Sequence, residues 1–162
     1  MEDNAVDSAI IAWREEGMWQ VESLTPRSSE SLDSIINALR SQPGEGGSLA
    51  LVSVAEEFFL IVRVFGAEPR VLVSDELASL DWPLAAQALV LLEMDLPDED
   101  DDDDEEGVPA GDLAILADLG VSADEIDLLC GDLELYPEEA LSTIASRIGF
   151  GDQYSAATSS LG

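Results

Sequence analysis

Between Ala9 and Val73 the apolar positions come in short runs rich in Val, Ile, Phe and Trp, punctuated by Gly, Pro and Glu. Runs of that length and composition predict strands. They are Ala9–Trp13, Met18–Leu24, Leu49–Val54, Phe58–Phe65 and Arg70–Val73. The first two are separated by Glu15, Glu16 and Gly17, where glycine can supply the positive φ of a tight turn, so they form a hairpin. The last three form an antiparallel meander. Phe58–Phe65 is apolar apart from Arg63, which predicts a central strand covered on both faces. Arg63 shares a face with Phe59, Ile61 and Phe65, and its stem is expected to lie along apolar surface towards a carboxylate or the sheet rim. A second role for Arg63 is to anchor an acidic group of a partner.

The helical period appears in three places. After Pro26 a serine cluster offers an N-cap near Ser29, and Leu32, Ile35, Ile36 and Leu39 follow at i, i+3, i+4 and i+7 up to Pro43 and the Gly44–Gly47 loop. Pro83, suited to a first helical turn, opens PLAAQALVLLEM, in which only Gln87 and Glu93 are polar. A helix apolar on nearly all sides must be covered on nearly all sides. The sheet takes one face; the other meets the C-terminal segment, a second copy or a partner, which makes Leu84, Leu89 and Leu92 candidate contacts. Beyond residue 111, Asp112–Leu119 ends at Gly120, Ser122 with Glu125 opens a helix to about Leu133, and Pro137–Ile148 ends at Gly149 with Phe150 folding back on Leu141, Ile144, Ala145 and Ile148. The expected fold is α+β: an antiparallel sheet of about five strands with two helices over 1–94, an acidic linker over 95–110, a small three-helix unit over 111–151 and a disordered tail over 152–162. Such a small helical unit gains stability from docking or from a partner.

Charge then narrows the function. The 162 residues carry 36 Asp and Glu against six Arg, with no Lys or His, for a net charge of −30. Nine of the acids are consecutive: Asp98, Glu99, Asp100, Asp101, Asp102, Asp103, Asp104, Glu105 and Glu106. Their mutual repulsion makes the segment an extended, solubilising linker, and it is also a candidate contact for a basic protein surface. Nucleic acid is excluded as a direct ligand, because binding it requires cations that displace phosphate counterions. The tract does not fit a calcium loop either: counted from Asp98, the required Gly and Glu positions hold Asp103 and Pro109. Without His and with Cys130 alone, neither a common zinc site nor a His-activated nucleophile can be assembled. Without Lys there is no Schiff base and no phosphate-binding P-loop, and GEGGSL (Gly44–Leu49) reads as an ordinary loop. Carboxylate-only catalysis needs two acids, but no pair among 36 is distinguished. No catalytic residue, cofactor or metal is assigned.

The start MEDNAVD fits neither a signal peptide nor a presequence, no apolar stretch approaches membrane length, and one cysteine suits a reducing compartment. A cytoplasmic protein is expected. Cys130 keeps helical spacing with Ile126, Leu129 and Leu133, as a small core residue would.

FFLIVRV…PRVLVSD (Phe58–Asp75), an acidic linker, GDLAILADLGVSADEIDLLC (Gly111–Cys130) and YPEEALSTIASRIGFGDQY (Tyr136–Tyr154) occur in that order. That succession resembles the tRNA adenosine deaminase-associated proteins of actinobacteria, most specifically in ADLGVS and YPEEAL…IGFG. The resemblance implies a protein partner, a tRNA adenosine deaminase. Such deaminases need a zinc constellation HxE…PCxxC, which this chain lacks, so it implies a non-catalytic accessory or regulatory protein. Two other readings stay open: an acidic nucleic-acid mimic that blocks a basic groove, and a chaperone-like homodimer formed through the helix at 83–94.

Overall fold

Glu16 and Gly17 both take positive φ, 54° and 80°, and close a two-residue turn between β1 (Val6–Glu15) and β2 (Met18–Ser23). Positive φ at both central positions is the turn geometry whose twist matches that of the flanking strands. The computed structural model describes residues 6–24, 31–41, 48–54, 58–64, 69–75, 82–93, 109–131 and 136–159. β3 (Ser48–Val54), β4 (Phe58–Val64) and β5 (Pro69–Val73) continue the meander, and β6 (Ala110–Gly111) completes an antiparallel sheet in the order β2-β1-β3-β4-β5-β6. Every residue of β3 and β4 is buried, as expected for strands covered on both faces.

The sheet is sandwiched. On one face Ile11, Val52, Phe58, Leu60, Val62 and Val71 meet α1 (Leu32–Arg40) and α2 (Pro83–Leu91). On the other, Ile10, Leu49, Leu51, Phe59, Ile61 and Leu72 meet side chains of the segment from Ile115 to Tyr154. That segment holds a 3-10 turn at Ala117–Leu119, α3 (Ala123–Gly131), α4 (Pro137–Ile148) and α5 (Gly151–Ser159). The C-terminal helices therefore share one core with the sheet.

Three local features differ from the sequence reading, each for a tertiary or stereochemical reason. α1 is capped by Ser31, whose Oγ accepts the Ser34 N–H at 3.1 Å, two residues beyond the serine expected. The same helix end is also capped from outside, as the Leu32 N–H donates to Gln87 Oε1 of α2 at 2.7 Å. Asp112–Leu119 does not wind into a full helix: Asp112 Oδ1 accepts the Ala114 N–H at 3.0 Å, and Gly120 at φ 108° ends the turn after three residues. The stretch past Gly151, expected to be disordered from its Ser, Ala and Thr content, is α5, because Tyr154 is buried in the core and its N–H donates to Phe150 O at 2.8 Å. Phe150 itself is fully buried, and its N–H reaches back to Ala145 O at 2.9 Å past Gly149 at φ 120°, the six-residue bond of a Schellman ending.

β6 has no sequence signature, since two residues cannot display an alternation. Its pairing is Leu72 with Gly111 and Val73 with Ala110. Gly111 sits at φ 115°, and a Cβ there would collide with the Val71 carbonyl oxygen. Gly111→Ala is therefore expected to cost about 3 kcal/mol, from backbone strain plus overpacking. Urea unfolding checks it; a variant within about 0.5 kcal/mol of wild type would mean that β6 is not needed for stability.

Candidate functional site

α2 was the apolar element available for a partner, and its own packing decides how much of it remains available. Leu84, Ala85 and Ala88 enter the core beneath β5 and α1, and Leu89 is 0% exposed. Leu84 and Leu89 are thus interior residues, which corrects the expectation that they form a contact surface. Leu92 is half-buried. The outward residues are Val90, 65% exposed, and Leu91, 38%. Gln87 is taken up by α1. The helix ends with the Leu92 N–H on Ala88 O at 3.0 Å, and Glu93 turns at φ 60°.

The carboxylates Asp98–Glu106 lie outside the described residues. Their flanks do not: α2 before them packs against β5, and β6 after them pairs with the same strand. Both described flanks of the acidic segment therefore contact β5. Val90 and Leu91 are the outward apolar residues of the first flank, its root in the sequence.

Arg63 is 5% exposed and is satisfied inside the chain. Its Nη1 donates to Ile115 O at 2.9 Å and to Asp118 Oδ1, and its Nη2 donates to Asp118 Oδ2 at 2.9 Å. This is a two-pronged guanidinium–carboxylate pair, and the hydrogen bonds from Arg63 hold the Asp118 carboxyl below its usual range. The acidic group that Arg63 anchors is Asp118, not one on a partner. The other described arginines are engaged as well: Arg147 with Glu125 at 2.9 Å, Arg70 with Asp112 at 3.5 Å, Arg14 over the Trp19 ring at 5.2 Å, and Arg40 within the chain. Exposed carboxylates, among them Glu15, Glu22, Glu93, Asp127, Glu138 and Asp152, dominate what is left. The described surface is accordingly a strong anion with few cations free to soften it.

Burial pushes the Cys130 thiol up to about 12, with Asp127 and Asp75 adding to the effect. A thiol so hard to ionise is a packing group, not a nucleophile. Among the described residues no group of three or more metal-ligating side chains converges, and no helix is long and apolar enough to cross a membrane.

Sequence reasoning missed the apolar residues that do face outward, notably Val90, Leu91 and Leu128. Leu128 had a detectable signal: it falls off the Ile126, Leu129 and Cys130 stripe and onto the face that carries Asp124 and Asp127.

A six-stranded antiparallel sheet covered by helices on both faces, with Arg63 buried between them and a strongly acidic composition, defines an acidic α+β protein. The chain belongs to the Rv3753c-like tRNA adenosine deaminase-associated protein family, whose model matches residues 7–151. It is 36% identical over 155 residues to Protein Rv3753c of Mycobacterium tuberculosis (strain ATCC 25618 / H37Rv), covering 94% of this chain and 88% of that protein. No solved structure matches it.

Proposed function

We propose that the chain is a non-catalytic accessory of a tRNA adenosine deaminase and acts by binding it directly. The observation that carries this reading is membership of a deaminase-associated family by a chain that has one cysteine and no histidine. A zinc deaminase takes its metal ligands from His and Cys, so the editing chemistry belongs to the partner. The electrostatics supply a mode of binding. A chain of net charge −30 is the complement of a cationic protein surface, here one that lies beside the tRNA-binding groove of the deaminase and not within it. The contact is formed by the carboxylates Asp98–Glu106, with Val90 and Leu91 as the apolar element at their root.

Light-scattering chromatography of the chain mixed with the deaminase of the same organism tests this. A defined complex at low salt, with affinity falling steeply as salt rises, is expected. No complex at either salt would remove the reading. A second reading, mimicry of nucleic acid, is favoured by the same acidic surface; tRNA added to the complex separates the two, since a mimic is displaced by it and an accessory tolerates it. The chaperone-like dimer has less support, because in the helix at 83–94 on which it rested Leu84 and Leu89 are interior.

A further inference from the structure

The two faces of α3 differ. Ile126 is buried and Leu129 and Cys130 are half-buried in the core under the sheet, whereas Asp124, Asp127, Leu128 and Gly131, at i, i+3, i+4 and i+7, share the exposed face. Leu128 is 73% exposed, the most of any large apolar side chain among the described residues. A single exposed leucine is commonplace. This one is set among carboxylates that are not ion-paired among the described residues, while the neighbouring Glu125 is drawn aside by Arg147 at 2.9 Å. That pair also links the first turn of α3 to the last turn of α4.

We propose that the outer face of α3 is a docking surface for a protein that presents lysine or arginine around an apolar pocket. Leu128 enters the pocket, and Asp124 and Asp127 orient the approach and reject wrong partners. The charges decide the occupant. A second copy would bring Asp124 and Asp127 against their own equivalents on a body of net charge −30, and nucleic acid and anionic lipid headgroups are repelled in the same way. A cationic protein surface gains from both parts of the patch. The proposal requires that the chain be a binding protein but not that the deaminase be its partner.

The test uses the full chain and two probes. A synthetic amphipathic helix of leucine and lysine, titrated into isotope-labelled protein, is expected to shift backbone amides over residues 123–131, and Leu128→Asp is expected to weaken its binding at least about tenfold. Asp124→Asn with Asp127→Asn is expected to flatten the salt dependence. All three positions are exposed, so melting curves should match wild type; if Leu128→Asp melts early, Leu128→Ser serves instead. Shifts confined to the acidic segment, or equal peptide affinity with Leu128 replaced, overturn the proposal. The second probe is the deaminase. If it ignores wild type while the peptide still maps to α3, the accessory reading falls and the docking surface stands. If it binds wild type while the peptide binds Leu128→Asp as tightly as wild type, the docking surface falls and the accessory reading stands.

Discussion

Leu89→Asp is expected to unfold the protein, while Val90→Asp one residue along the helix leaves it folded. Leu89 is 0% exposed in α2, so a carboxylate there loses the leucine's burial and must be protonated or desolvated without a partner. The combined cost is about 5 kcal/mol or more, comparable with the whole stability of a domain of this size. Val90 is 65% exposed, and a charge there stays in water. Circular dichroism and urea unfolding of both variants check the contrast. The pair also separates folding from function, because loss of a partner by a folded Val90→Asp chain would bear on the root of the acidic segment. Loss by Leu89→Asp would say only that the protein is unfolded. Equal stability of the two variants would mean that α2 is not packed on the sheet as described.

The second large effect is expected at the ion pair between β4 and the turn that follows β6. Asp118→Ala takes the carboxylate from the guanidinium of Arg63, which sits on a fully buried strand and also donates to Ile115 O. Removing one partner of a buried pair commonly costs about 3–5 kcal/mol. Because the Asp118 side chain is 61% exposed and water can reach part of the site, about 2–3 kcal/mol is expected here. Arg63→Leu combined with Asp118→Ala should recover most of it, since an apolar residue suits the face shared with Phe59 and Ile61. The pH dependence has a definite sign. Arg63 holds the Asp118 carboxyl below its ordinary 3.8 in the folded chain, so the pair's contribution is fully present above 3.8 and is lost as pH falls through the depressed value. The stability difference between wild type and Asp118→Asn should hold steady from neutral pH to about 4 and narrow below it. A difference that widens on acidification would contradict the pairing. Measuring the difference matters, because wild-type stability alone also reflects the protonation of 36 acids.

The readings that succeeded rested on patterns whose period matches their element. Phe58–Val64 was legible as a central strand because seven residues without a regular polar face leave no side for water. The hairpin was legible from Gly17, and α1 from Leu32, Ile35, Ile36 and Leu39, all buried. The failures at β6 and α5 share one cause. β6 and α5 are held by residues distant in sequence, Leu72 and Val73 for the first and the core around Tyr154 for the second, and neither segment carries a period of its own. At the candidate site, the acid content was fully legible and the apolar contacts were not. A helix with hydrophobic residues on every side does not reveal which side the sheet will cover, so Leu84 and Leu89 looked as available as Val90.

By itself, then, the sequence determined the class of fold, the overwhelming negative charge and the absence of histidine. These depend on residue identity and local period, which need no knowledge of neighbours. The tertiary structure alone decided that Arg63 belongs to Asp118, that Gln87 caps α1, and that Leu128 rather than Leu89 meets solvent. Each is a pairing or a direction settled when surfaces far apart in the chain compete for the same burial, and that competition is resolved only by packing.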